Sequence, residues 1–459
     1  MKKRFISLIL SLSMVFTFVP LQAYAASGTT SSGKLVISDK TYEIAPDIIE
    51  REYITNNSSL SAQQMGHIME VKLGENAQII AGYNDYNIEA IKSGSNWGMR
   101  KTTEQAQAAE DSRKINVVGA VNGDFFDMSN GKPLGVLVMN GTVIQESNRP
   151  CFYIDADGNP HITSNSSTLP EGVKEAVSGW QILVQDGKAL TFNDTIANPR
   201  TAVGIRADNT VVFYMVDGRQ APLSVGMTSD EMAQTMVDLG CVEAMHLDGG
   251  GSATFATQRA GEVENNTTAG LSLRCSPSDG YERTVSSSIL IVSTSKKDGK
   301  FDHAILSPNQ EVYTPGSTVQ FAAVGAVKSG SPAELPTSGL IWSIMDGASL
   351  GSIGEDGVFI GNDGAEGTVT VALSYDGKVV GKTSIELQWP DKLGFTNTSV
   401  SLDFGETSDL TFNPTYEGRK VHYKDGDFNW TLDPEAYKFS TSVEEFYMSS
   451  WPKGWKQVR

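Results

Sequence analysis

The chain has 459 residues, with 36 basic against 54 acidic side chains and a net charge of −18. At roughly 100–200 residues per domain it holds several units, and a hydrophobic share of 39% excludes bulk disorder. Phosphate backbones repel so acidic a chain, which excludes a general nucleic-acid binder. An anionic substrate would need a local cluster of Arg or His working against the global field. The 45 glycines against 17 prolines favour many tight turns and strands over a helical bundle.

Lys2, Lys3 and Arg4 precede an apolar run over 5–19, and Ala23-Tyr24-Ala25 supplies a small-x-small cleavage pattern. This predicts a secretory signal peptide over 1–25, too short to span a bilayer, and hence a secreted or cell-surface protein with no membrane span after cleavage. Residues 26–33 (ASGTTSSG) read as a flexible leader. Three cysteines, Cys151, Cys241 and Cys275, permit at most one disulfide and have no metal-site spacing. They read as buried, inert thiols.

From 34 to 296 short strands and turns are dense, and the chemistry is expected there. The run INVVGAV predicts a buried strand that delivers Asn122, Asp124 and Asp127 at its carboxyl end, within NGDFFDMSNGKPLG. Phe125 and Phe126 either anchor this loop or stack on a sugar ring. Asp124, Asp127 and Asn130 are candidate ligands for a structural calcium ion, with a plain turn as the alternative. In NPRTAVG, Arg200 follows Pro199 and opens a strand. An arginine held by a rigid turn suits phosphate clamping, and a salt-bridged structural arginine is the other reading.

A second strand over 210–216 runs into Asp217-Gly218-Arg219. A helix follows: Thr228 and Glu231 match a capping box, Met232, Met236 and Leu239 recur on one face, and Gly240 suits its end. A third strand from Cys241 to Leu247 breaks at Asp248-Gly249-Gly250-Gly251-Ser252. Strand, helix and strand at this spacing predict a parallel βαβ unit, with Asp217 and Asp248 on the edge of the sheet where α/β proteins bind ligands. The glycines allow a sharp turn and bare N–H groups facing an anion. His246 falls on the same face as Asp248, and YERTVSSS supplies a further arginine, Arg283. No GxSxG, HExxH, GxGxxG or Walker A pattern is present.

The stretch 303–389 alternates apolar and polar residues with frequent turns, predicting an all-β sandwich around Trp342, read as a bacterial Ig-like module. A partial second copy over 390–459 aligns Trp430 with Trp342, then loses the pattern. The expectation is a chain truncated relative to a longer repeat protein. The expected fold class is therefore a mixed α+β catalytic domain containing at least one parallel βαβ unit, followed by all-β Ig-like sandwich modules.

The segments NPRTAVG, VDGR, SDEMAQTMVDLGCVEAMHLDGGGSATF and ERTVSSSILIV, with VNGDFFDMSNGKPLGVLVMNGTVI before them, resemble the phosphodiester glycosidase family. The resemblance runs through about 60–296 in the family's order. His246 departs from it, since relatives often carry Asn there. The resemblance implies hydrolysis of a sugar-1-phosphodiester at the sugar C1–O bond, with a cell-wall or exopolysaccharide glycan of the GlcNAc-1-phospho type as partner. On that reading Arg200, with Arg283 or Arg219, meets the phosphate, assisted by the amides of Gly249, Gly250 and Gly251. Asp248 serves as base or nucleophile, with Asp124 second and Asp217 in support; Asn122, Phe126, His246 and Ser252 complete the binding set. No cofactor is required, and calcium, if bound, is structural. Two rival classes remain: a metal-dependent phosphodiesterase cutting P–O, for which no obvious His/Asp cluster is present, and a non-catalytic polysaccharide-binding surface protein. A glycosidase of neutral glycans is a third.

Overall fold

Period-two alternation divides the strands of the largest sheet between two cores, one on each face. The computed structural model describes residues 28–56, 62–93, 97–259, 270–296, 299–394 and 412–428. The segment over 1–25 expected to be a signal peptide, and Trp430, lie outside them. Eleven strands and two helices position the site: β1 (Leu35–Ala45), β2 (Ile48–Asn56), β3 (Gln63–Lys72), β4 (Ala77–Tyr83), α1 (Thr102–Arg113), β5 (Asn116–Asn122), β6 (Ile182–Gln185), β7 (Arg200–Arg206), β8 (Thr210–Val216), α2 (Ser229–Asp238), β9 (Cys241–His246), β10 (Phe255–Thr257) and β11 (Ser287–Ser293).

A nine-stranded sheet carries β1-β2-β3-β8-β7-β9-β6 in that order, with Gly28–Thr29 and Lys188–Ala189 at its two ends. A five-stranded sheet stacks on it, in the order Ser272–Leu273, β10, β5, β11, β4. Strand β8 shows why they stack. Its Val211, Phe213 and Met215 enter the core shared by the two sheets, while Val212, Tyr214 and Val216 enter a second core on the opposite face. Both faces are buried, so the strand reads as a continuous apolar run. Helix α2 covers the second core with Met232, Ala233 and Met236, each methionine side chain contributing about 1.5–3 kcal/mol on burial. Helix α1 covers the far side of the five-stranded sheet, where Gln105 donates to the Val285 and Ser286 carbonyls and accepts from Ser288 Oγ. The layers run helix, sheet, sheet, helix, and the chain is mostly β.

The capping signals hold. Thr228 accepts from the Glu231 amide, Glu231 accepts from the Thr228 amide, and Gly240 adopts φ +85° beyond the helix. The predicted adjacency of the parallel strands does not. Strand β7 lies between β8 and β9 and is antiparallel to both, with Arg200 opposite Val216 and Ala202 opposite His246. The tight turn at Asn209 (φ +65°) zips β7 onto β8, which leaves the other edge of β7 to receive β9. Asp217 and Asp248 still end strands of the same direction, but two strand spacings, about 10 Å, separate those strands.

The segment expected to be a flexible leader is ordered where it is described. Gly28–Thr29 pairs with Leu35 and Val36, and the Ser31 amide donates to Asp238 of α2 at 3.1 Å. Further along, strands between 318 and 387 contribute Val319 and Phe359 from one sheet and Val369, Val371, Ile385 and Leu387 from another to one core. Trp342 is half-buried at its margin, 6.2 Å from the Phe321 ring. Arg419–His422, within the expected second repeat, pairs parallel with Glu311–Tyr313 and so extends the sheet of the first. The cysteines are free and buried.

Gly204 in β7 is where α2 sits against the sheet: an added Cβ would lie 2.7 Å from both Cys241 Sγ and Met236 Cε. Gly204→Ala is therefore expected to destabilise the fold by about 1–3 kcal/mol, as overpacking does. Urea denaturation checks this, and an unchanged midpoint would contradict the close helix approach.

Candidate active site

At one end of the nine-stranded sheet, where β7 begins and β9 ends, lies a cleft of about 590 Å³. Arg200, Arg219, His246, Asp248, Gly249 and Gly250 line it, together with Phe125, Trp180 and Asp194. Asp248 is placed by backbone bonds on both sides: its amide donates to the Gly123 carbonyl at 2.9 Å, and the Leu247 amide donates to the Thr201 carbonyl. Its carboxylate accepts from the Gly249 amide at 2.7 Å. Burial raises its pKa to about 6, against the lowering effects of Ser252, the Gly249 amide, Arg283 and Arg149.

Asp124 is more deeply buried, at 2% exposure. Its amide is held by Ser287 Oγ at 3.0 Å. Neither carboxylate oxygen has a well-formed hydrogen bond; the Phe125 and Gly135 amides reach it only weakly. Burial raises its pKa to about 7, with Arg149 and those amides pulling down and the Asp248 charge pushing up. Two buried carboxyl groups are thus both poised near neutrality, chiefly by desolvation, with the Asp248 charge a minor upward push on Asp124.

His246 is buried with Nε2 unpartnered, and its backbone is zipped to Trp180 and Gln181. Burial, and then the Arg200 charge, lower its pKa to about 3, so the imidazole is neutral at physiological pH. It offers the cleft a neutral donor or acceptor.

The remaining predicted residues divide between the cleft and its scaffold. Asn122 is fully buried and braces the site: Nδ2 donates to the Asp248 carbonyl at 2.7 Å, while Oδ1 accepts from Thr201 Oγ1 at 2.7 Å and from the Thr254 amide at 3.0 Å. Asp217 stands behind the sheet end. His67 Nε2 lies 3.1 Å from one of its oxygens and the Ser276 amide donates to the other, so both are occupied and neither faces the cleft. Phe126 is buried and bridged to Pro133, and it is Phe125 that lines the cleft.

The glycine turn differs from the expected amide cradle. The Gly249 amide is taken by Asp248 and the Gly250 amide by the Pro199 carbonyl. The glycines instead admit arginines. A Cβ on Gly251 would collide with the Arg283 guanidinium and the Asp279 carboxylate, and one on Gly250 (φ +62°) would crowd Arg219. Ser252 is buried beside Arg283, 3.5 Å from Nη1.

Three arginines are held by the scaffold. Arg200 donates to the Met227 carbonyl at 2.6 Å and pairs with Asp194, which also accepts from Ser229 at the start of α2. Arg219, at φ +61°, puts Nε and Nη2 on Asn198 Oδ1. Arg283 pairs with Asp279 at 2.6 Å. The expected calcium donors do not converge: the exposed Asp127 carboxylate accepts from Ser129 and Asn130, while Asp124 is buried. No group of three or more His, Cys, Asp or Glu side chains suited to a metal occurs among the described residues.

Sequence reasoning missed Trp180, Asp194 and Arg149. Trp180 is 57% exposed at the cleft and lies 5.5 Å from Phe125, ring to ring. Arg149 packs over both rings, with Cζ 5.1 Å from the Trp180 centroid and 5.8 Å from that of Phe125. Both Trp180 and Arg149 sit in turns without a period, so no pattern marks them.

Residues 115–292 match the model of the family described as phosphodiester glycosidase. The chain is 28% identical to the SPbeta prophage-derived protein YomE of Bacillus subtilis, over 41% of this chain and 30% of that one. It is 28% identical to mouse N-acetylglucosamine-1-phosphodiester alpha-N-acetylglucosaminidase, over 30% of this chain and 31% of the enzyme. The chain thus spans about a third of the length of these curated relatives. The catalytic domain of the zebrafish enzyme, a solved structure, aligns with a TM-score of 0.42 at 20% identity, over 56% of this chain and 87% of that one.

Asp124→Asn tests the electrostatics. A carboxyl whose native pKa lies above its unfolded value holds its proton longer in the folded state, so its contribution to stability falls as pH rises from about 4 to about 7. The variant is expected to gain on the wild type across that window, by up to a few kcal/mol, and to hold the gain above it. Thermal unfolding at pH 4, 6 and 8 reads this, and a gain that shrinks with pH would contradict the assignment.

Proposed function

We propose that the chain is a secreted glycosidase-type hydrolase that breaks the sugar C1–O bond of a sugar-1-phosphodiester, releasing free sugar and a phosphomonoester. The similarity over 115–292 supports the reaction class. The observation that carries the reading is the Asp124–Asp248 pair, two buried carboxyl groups with pKa values raised to about 7 and about 6 beside a cleft walled by arginine and aromatic side chains.

Such a pair suits acid–base division of labour. Asp248, ionised above about pH 6, takes the proton of the water that attacks C1 or attacks C1 itself. Asp124, protonated below about pH 7, donates to the departing phosphate oxygen. The C1–O bond breaks, its electron pair stays with that oxygen, and the water oxygen ends on C1. The guanidinium groups balance the phosphate charge, and neutral His246 and Asn198 hold polar groups of the substrate. Asp217 positions the end of β8 through His67 and Ser276. A GlcNAc-1-phospho glycan of a wall or exopolysaccharide is the proposed substrate. The basic and apolar start of the chain supports secretion. The region over 303–389 is proposed as an Ig-like module beside a catalytic unit over 34–296.

With GlcNAc-α-1-phospho-6-mannoside as substrate, kcat/KM is expected to follow a narrow bell with apparent limbs near pH 6 and pH 7 that belong to the pair. Asp248→Asn is expected to lose about 10²-fold or more in kcat. Near-wild-type turnover by that variant, or a profile flat across pH 5–8, would refute the assignment.

A further inference from the structure

We propose that Arg149 is the residue that grips the substrate's phosphate at the bond that breaks. The inference rests on the phosphodiester reading of the cleft. It starts from hydrogen-bonding capacity. A guanidinium has five N–H donors, and an anion needs one that still has free donors directed at it. Arg200 is tied to Met227, Asp194 and Ile196, Arg283 to Asp279 and Ser252, and Arg219 gives two of its five donors to Asn198, so each of the three is already oriented by the scaffold. Among the described residues the Arg149 side chain makes no ion pair or hydrogen bond, and its Nη2 is buried without a partner.

That condition costs free energy unless something completes it, because a buried charged donor loses water without replacement. The fold nevertheless fixes Arg149 firmly. Its amide donates to Ser147 Oγ at 3.0 Å, its carbonyl accepts from the Ser166 amide, and the next carbonyl, of Pro150, accepts from Ser178 Oγ and the Gly179 amide. The guanidinium lies over the Trp180 and Phe125 rings, which hold its plane and shield it from water while leaving its edge free.

Its position matches the chemistry. The Arg149 charge acts on both Asp124 and Asp248, the two groups assigned to the reacting carbon and the leaving oxygen. Three buried groups without a partner lie on or behind the cleft wall: His246 Nε2 on its lining, Arg149 Nη2 behind the lining rings of Phe125 and Trp180, and the Asp124 carboxylate next to Phe125 in sequence. A phosphodiester monoanion placed there would accept from Arg149 while its bridging oxygen took the Asp124 proton. The sugar would lie toward Trp180, whose exposed face suits a pyranose ring.

Binding can be read without turnover. Inorganic phosphate and methyl phosphate are titrated into the full chain by calorimetry, with Trp180 fluorescence as a second signal and W180F as its control. The wild type is expected to bind both, and R149Q to lose about tenfold or more in affinity, the scale of a charge-assisted bidentate contact. R219Q and R283Q are expected to lose less than R149Q. R149K keeps the charge but not the fork, and is expected to bind several-fold more weakly than wild type with an unchanged near-UV CD spectrum; it carries the test if R149Q misfolds. Absence of phosphate binding by the wild type, wild-type affinity in folded R149Q or R149K, or a larger loss in R219Q would overturn the assignment. Arg149-dependent phosphate binding in a chain that leaves the glycoside bond intact would instead overturn the hydrolase reading and keep this one.

Discussion

The amide of Asn122 is the constraint on which the site depends. It leaves the end of β5 in one sheet, reaches Thr201 in β7 of the other, and holds the Asp248 carbonyl and the Thr254 amide on either side of the glycine turn. A buried amide that satisfies this many partners is costly to disturb, because each lost bond leaves a desolvated group behind. Through it the stacking of two sheets, a non-directional consequence of apolar burial, becomes a fixed relation between Asp124, two residues beyond Asn122, and Asp248. Gly123 adds a second tie, donating to the Ser287 carbonyl and accepting from the Asp248 amide.

Around that tie the molecule holds groups that would be unstable elsewhere. Asp124 has almost no water and no strong hydrogen bond, His246 is neutral with a bare Nε2, and Arg149 has a buried nitrogen without an acceptor. Each lowers stability alone, and their grouping at one cleft is what a preorganised polar site looks like before its ligand arrives. Most of the other charges nearby are used to shape the cleft. Asp194 ties Arg200 to the first turn of α2, Asp230 holds the Phe192 and Asp194 amides, and Asn198 holds Arg219. The local density of arginine opposes the net charge of −18 and allows an anion to approach.

Local signals carried the sequence reading furthest. The capping box at Thr228 and Glu231, the end of α2 at Gly240 and the break at Asp248 depend on neighbours within a few residues, and they stand in the fold as read. The order of strands did not follow, because β9 has two edges to choose from and only the β7–β8 hairpin decides which is open. Phe125 and Phe126 were indistinguishable in a loop without a period; one faces the cleft and the other the core. Two of the three glycine amides expected to cradle an anion, those of Gly249 and Gly250, are taken by the nearest acceptors, Asp248 and Pro199. Arg149 and Trp180 were invisible for a different reason: they flank strands of a second five-stranded sheet, built from residues between 137 and 178, and no spacing encodes their approach to the cleft.

The central claim is that the carboxyl pair acts at sugar carbon and not at phosphorus. Hydrolysis of GlcNAc-α-1-phospho-6-mannoside in ¹⁸O-labelled water, with mass spectrometry of both products, tests it most directly. The account predicts label on C1 of free GlcNAc and none in mannose-6-phosphate. Label in the phosphate, or GlcNAc-1-phosphate as product, would contradict it.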